Sequence, residues 1–282
     1  MGAPRGVGEA VRAAGDPRDV REDARVSASA PLLRRAAVEG LGTAALVAVV
    51  VGSGIQATEL THDVAVQLLA NSLATVFGLG MLIAFLGPVS GAHFNPAVTL
   101  AAWFTGRRTG DGPALRDVAA YLPAQVAGAV VGAVLADAMF GKPLVAFSTH
   151  ERWAGHLWLA EVVATAGLVW LVFGLARAGR THLAPLLVAA YIGAAYWFTS
   201  STSFANPAVT IGRAFTDTFA GIAPTSVLPF LAAQLLGAAA GLGLVALCFG
   251  RPAAAGKDEV VVPHAGQQPV APARSTEESA LA

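Results

Sequence analysis

Charged side chains are scarce in this sequence, 13% of 282 residues, and Lys plus Arg balance Asp plus Glu to a formal net charge of zero. No bulk field of one sign is available to draw nucleic acid or an acidic partner. Cysteine is scarcer still. The single Cys248 excludes an intrachain disulfide and a cysteine-based metal site, and its position in the last apolar run predicts a buried packing role. The apolar runs hold no His/Asp or His/Glu cluster, so neither a metal site, a cofactor nor an enzyme is expected. Residues 1–33 lack the apolar core of a signal peptide and read as a disordered tail, as do residues 251–282, rich in Ala, Pro, Glu and Gln.

Apolar residues, in contrast, are abundant at 55%. They gather into runs long enough to cross a bilayer, for which roughly 20 residues suffice. Six are expected, near 36–56, 65–87, 117–139, 157–176, 183–200 and 226–249. Seven Arg precede the first run, Arg107, Arg108 and Arg116 lie in the second connection, and Arg177 and Arg180 lie in the fourth. The first connection has no Lys or Arg, the third has Lys142 and Arg152, and the fifth has Arg213. This asymmetry predicts cytoplasmic termini at both ends.

The chain repeats itself. Glu39 opens the first run in VEGLGTAAL and Glu161 opens the fourth in AEVVATAGL. AQxxGAxxG occurs at 124–132 and again at 233–241. The word NPAVT occurs at Asn95-Pro96-Ala97-Val98-Thr99 and at Asn206-Pro207-Ala208-Val209-Thr210. Three markers in one order define two halves of three spans, 34–140 and 155–250, and an odd number of spans per half forces the halves into opposite orientations. Each Asn-Pro suits a helix start, Asn as N-cap and Pro at the first helical position. The roughly ten apolar residues after each word cover about 15 Å, half the hydrocarbon core. Two half-helices therefore enter from opposite faces, with Asn95 and Asn206 meeting near the midplane.

The stretches leading to them, including Gly91, Ala92, His93 and Phe94 in one half and Thr202, Ser203, Phe204 and Ala205 in the other, are non-helical. Bare carbonyls are tolerable at that depth only where they line a water-filled path. Two positive helix ends aimed at one point disfavour a cation there. The chemistry this supports is single-file passage of small neutral hydrogen-bonding molecules.

The six spans, SGAHFNPAVT, the second NPAVT, the two Glu and the two AQxxG strings resemble the major intrinsic proteins, the aquaporin and aquaglyceroporin family, over residues 34–250. The resemblance implies an all-α membrane fold of six spanning helices and two half-helices in an inverted 3+3 repeat. It implies a right-handed bundle in the bilayer, homotetramers with one pore per subunit, and a bacterial plasma-membrane location. Glu39 and Glu161 would anchor the loop backbones.

This chain departs from that family pattern after the second NPA, where Val209 stands in place of the usual Arg. Counting without gaps puts the other filter positions on Ser203, Ala194 and Thr75, with Phe77 as an alternative to Thr75 favoured by the local FGLG string. Thr, Ala, Ser and Val make a wider, less charged ring than the Phe, His and Arg of water-selective members. Arg213, one turn beyond Val209, is expected at the mouth or among headgroups. The stretch TSSTSFANPAVTIGRAFTDTFAGI is similar to a bacterial subgroup associated with arsenic-resistance operons, which implies passage of arsenous acid besides water and polyols. An ordinary water or glycerol channel is the nearest alternative. A secondary transporter could also carry inverted repeats and broken helices, and would need a titrating carboxylate, for which Glu39 and Glu161 are the candidates.

Overall fold

The computed structural model describes residues 30–107 and 112–250, and the two tails up to residue 29 and from 251, with Arg108, lie outside the described residues. Among the described residues the regular structure is helix: α1 (Leu32–Leu60), α2 (Val64–Ser90), α3 (Pro96–Gly106), α4 (Leu115–Met139), α5 (Gly155–Arg177), α6 (Ala184–Phe198), α7 (Pro207–Gly212) and α8 (Pro224–Phe249). The channel region begins slightly earlier than expected, because helix already includes Leu32 and Leu33. Six helical segments, α6 taken with the short turn Thr181–Leu183 before it, are long and apolar enough to span a membrane. α3 and α7 are the two half-helices.

Local chemistry sets the boundaries. Asp63 caps α2, its carboxylate accepting from the N–H of Ala65 and Val66. α2 ends where Gly91 adopts φ 89°, in the left-handed region that glycine enters without penalty. Asn95 and Asn206 cap α3 and α7, with side-chain oxygens accepting from Ala97 N–H in the first case and from Ala208 and Val209 N–H in the second. Pro occupies the first position of both. The second half-helix is shorter than expected. α7 stops after six residues and passes into a 3₁₀ turn at Arg213–Phe215, where Arg213 Nε turns to donate to the carbonyl of Ala220.

The AQxxGAxxG strings explain how the bundle closes. α4 lies on α1 so tightly that a Cβ at Gly128 would sit 2.1 Å from the carbonyl oxygen of Gly40, and one at Gly132 would sit 2.2 Å from that of Ala44. α8 lies on α5 in the same way. There Gly237 and Gly241 would each place a Cβ 2.5 Å from a carbonyl oxygen, of Val162 and Ala166 respectively. With no hydrophobic drive between helices in lipid, such close backbone approach is what holds them together.

Cys248 does not take the buried place expected of it. It lies exposed on the outer face of α8, where the end of an outermost span leaves room for any apolar side chain.

Candidate functional site

The loops before the half-helices are held by two buried carboxylates. Glu39 Oε1 accepts from Ser90 Oγ at 2.6 Å and His93 N at 3.0 Å, and its Oε2 accepts from Phe94 N at 2.6 Å and Gln125 Nε2 at 2.8 Å. Glu161 Oε1 accepts from Ser201 Oγ at 2.6 Å and Phe204 N at 2.8 Å, and its Oε2 accepts from Ala205 N at 2.8 Å and Gln234 Nε2 at 2.7 Å. The two sets match donor for donor. Each glutamate is fully buried, and four donors satisfy the lone pairs of a charge that water cannot reach.

These bonds stabilise an unusual backbone. Gly91, Ala92 and Phe94 have φ of 89°, 48° and 48°, and Thr202, Ser203 and Ala205 have 61°, 51° and 47°. In both loops these are the fourth, third and first residues before the asparagine. Left-handed conformations at non-glycine residues cost about 1–3 kcal/mol each and persist only where the surroundings impose them. Here the carboxylates impose them, by fixing the N–H groups of the last two loop residues.

The loops meet at the two asparagines. Asn95 Nδ2 donates to the carbonyl of Ala205 at 2.8 Å, and Asn206 Nδ2 donates to that of Phe94 at 2.7 Å. Each amide thus caps its own half-helix with its oxygen and ties the opposite loop with one N–H. The second N–H of each amide is the one left to face a neighbour.

Both asparagines lie on the wall of one cavity. Ten pairs of wall residues are related by the sequence repeat. Leu46 and Val50 pair with Leu168 and Val172, and Thr75, Leu79 and Ile83 pair with Ala184, Val188 and Ile192. Ala92, His93, Phe94, Asn95 and Val98 pair with Ser203, Phe204, Ala205, Asn206 and Val209. The wall is mainly apolar, with Thr75 Oγ1 and Tyr196 Oη 3.1 Å apart and the buried Ser203 hydroxyl without a hydrogen-bond partner among the described residues. His93 is buried on the wall, its Nδ1 3.0 Å from Thr99 Oγ1.

Of the expected filter positions, Thr75, Ser203 and Val209 reach this wall. Ala194 does not: it is exposed, because the inward face of α6 runs through Ala184, Val188, Ile192 and Tyr196, one residue every four. Tyr196, two residues further on, lies on the wall instead. Phe77 is 72% exposed on the outside of α2, so the alternative to Thr75 falls. Among the loop residues Gly91 and Thr202 lie off the wall, and Pro96, Ala97, Pro207 and Ala208 are buried within the half-helices rather than on it.

Arg213 does not take the place expected of it. It is 4% exposed, lies on the cavity wall and places its guanidinium carbon 3.4 Å from the ring centroid of Phe204, so it is not at the mouth or among headgroups. Arg152, in the connection before α5, packs 5.0 Å from the same ring, and its Nε donates to the carbonyl of Gly221 at 3.2 Å. Burial, partly offset by the Glu161 charge, pushes Arg152 down to about 10, which leaves it cationic at neutral pH.

Two loops clasp each other beside this pair. Thr149 N–H and hydroxyl donate to Asp217, and Ala223 N–H donates to the carbonyl of His150, while Thr216 Oγ1 donates to Asp137 near the end of α4 at 2.8 Å.

Six spans, two inward half-helices capped by asparagine and one cavity running past both caps define a membrane channel built as an inverted repeat. The chain belongs to the major intrinsic protein family, whose model matches residues 26–203. It is a multi-pass membrane protein of a channel family, not an enzyme. Over 214 residues it is 51% identical to a protein described as aquaglyceroporin AqpS of Rhizobium meliloti (strain 1021), covering 76% of this chain and 89% of that one. Over 245 residues it is 31% identical to a glycerol uptake facilitator protein of Pseudomonas aeruginosa, covering 73% and 85%. The fold is also that of the aquaglyceroporin from Plasmodium falciparum solved by X-ray crystallography, with TM-score 0.53, 20% identity, and coverage of 76% of this chain and 94% of that one.

Proposed function

We propose that this protein is a passive channel for water and small neutral polyol-like solutes, arsenous acid included, which pass through a filter widened by the absence of an arginine after the second NPA. The observation that carries this reading is the pairing of Val98 with Val209 on the cavity wall. Both half-helices present an aliphatic side chain one turn in from their caps, where a guanidinium would fill space and take up solute hydroxyls. Donors remain at the centre, in the free N–H of each asparagine amide, and a hydroxyl remains at Ser203. A neutral molecule bearing several hydroxyls can exchange water for these groups one at a time. Arsenous acid and glycerol each carry three.

The relatives described as an aquaglyceroporin and a glycerol uptake facilitator support the polyol part of this reading. The saturated hydrogen bonding of Glu39 and Glu161 speaks against a coupled transporter, since neither carboxylate is free to bind an ion or cycle a proton. The arginine-rich flanks favour cytoplasmic termini in a bacterial plasma membrane. Exposed apolar side chains on the spans, such as Phe85 and Trp170, suit contact with lipid or with the other copies of a homotetramer.

Stopped-flow light scattering on proteoliposomes, with water, glycerol and arsenous acid compared at equal protein, tests the reading. Val209→Arg should cut glycerol and arsenite flux on the order of tenfold or more, since about 1.4 kcal/mol of added barrier suffices for that, and should change water flux much less. An unchanged solute-to-water ratio would place the constriction elsewhere.

A further inference from the structure

The repeat accounts for the cavity wall almost residue by residue, and three side chains break it: Thr181, Tyr196 and Arg213. Only Arg213 is charged. Its counterpart in the first half, 111 residues earlier, is Ala102, a fully buried residue of α3. Resting on the channel reading above, we infer that Arg213 is the cation-excluding residue of this pore, a fixed positive charge set one helical turn beyond the position that Val209 leaves aliphatic.

Three observations bear on this. Arg213 is held rather than mobile, by Nε donation to the carbonyl of Ala220 and by the Phe204 ring, itself a wall residue. Its charge is not cancelled. Among the described residues neither Arg213 nor Arg152 has a carboxylate within ion-pair distance, and the nearby Glu161 already accepts four hydrogen bonds. A buried cation without a paired anion is costly, and in a membrane such groups mark the solute path. Finally, Arg152 packs against the same ring from off the wall, which adds a second positive charge and fixes the ring under Arg213.

The displacement separates two jobs. A turn of helix advances about 5.4 Å along its axis. At the level of Val209 the pore keeps its width for polyols, and one turn further a cation meets the guanidinium. A unit charge roughly 5 Å from the path, at an effective dielectric of about 20, is enough to slow a small cation well over tenfold. The excluded class is small cations such as methylammonium and hydronium. The admitted class is neutral hydroxylated solutes.

The test measures methylammonium uptake, proton flux and glycerol flux in proteoliposomes carrying the wild type, Arg213→Lys or Arg213→Met. The Met variant should conduct methylammonium and protons at least about tenfold faster than wild type while still passing glycerol, and the Lys variant should stay tight. A Met variant that passes glycerol and excludes cations as the wild type does overturns the inference.

If Arg213→Met passes no glycerol at all, a second measurement with Arg213 intact decides. A thiol placed by Ser203→Cys is reacted with a sulfonate-bearing and an ammonium-bearing thiosulfonate, each rate being divided by that with a free thiol. The anionic reagent should be favoured at least about tenfold. Equal or reversed rates overturn the inference. Wild-type protein that passes no neutral solute would defeat the channel reading instead, and the reagent ratio would still report the charge.

Discussion

Replacing Glu161 by Gln changes one oxygen to an amino group and should undo the second loop. Each carboxylate oxygen accepts two hydrogen bonds, Oε1 from Ser201 and Phe204 and Oε2 from Ala205 and Gln234. Whichever way the new amide is turned, its NH₂ faces two donors. Gln234 can answer by turning its own amide, at the expense of its bond to Thr210 Oγ1, but a backbone N–H cannot turn. One buried N–H left unpaired costs about 1–3 kcal/mol, and the surviving bonds lose the strength that the charge gave them, about 1 kcal/mol each. The total of about 3–5 kcal/mol is comparable with the backbone strain at Thr202, Ser203 and Ala205, at about 1–3 kcal/mol per residue. The loop should therefore relax away from its left-handed geometry.

Thermal unfolding of the detergent-solubilised protein and glycerol flux in liposomes both read this out. Glu161→Gln should lower the midpoint clearly and abolish most flux, and Glu39→Gln should do the same through the equivalent set. Lys142→Ala is the control. It breaks the pair with Glu59, whose partners are 38% and 45% exposed, and exposed pairs contribute about 0–1 kcal/mol. Should Glu161→Gln prove no worse than that control, the carboxylate is not what shapes the loop.

Two further outcomes follow from the packing and the cavity wall. Gly132→Ala would drive a Cβ into the carbonyl of Ala44 and should cost a few kcal/mol, typical of overpacking at about 1–3 or more, whereas Gly243→Ala meets open space and should leave the thermal midpoint unmoved. Mercurials should label Cys248 on the outer face of α8 without blocking glycerol flux, and should block it once Ser203→Cys puts a thiol on the wall; block of the native protein would contradict the placement of both residues.

Spans, repeat and half-helices were legible because each rests on composition or on a word that local chemistry explains. Asn-Pro caps a helix wherever it falls, and runs of twenty apolar residues have few other uses. The faces of the spans were not legible. α6 is apolar all round, so no periodicity distinguishes the exposed Ala194 from the inward Tyr196 two residues later. The inward ladder from Ala184 to Tyr196 carries no mark of its own, because α6 offers equally apolar ladders on its other sides. Arg213 was misplaced for a different reason. Its depth depends on where α7 ends, and that end is set by a bond to Ala220 and a ring seven and nine residues away in opposite directions, neither visible to a local reading.

The crossed asparagine bonds also bear on how the protein is made. Asn95 reaches a carbonyl 110 residues downstream, and Asn206 reaches one 112 residues upstream. A nascent chain halted between Met139 and Ala205 holds a first half with complete spanning helices, yet its re-entrant loop lacks the anchor that only the second half supplies. Until then an amide N–H and a loop carbonyl stand unpaired at bilayer depth, a condition hydrocarbon penalises. The first loop thus reaches its final form only after the second loop has been made, and a truncated chain carries the unpaired groups at its own centre.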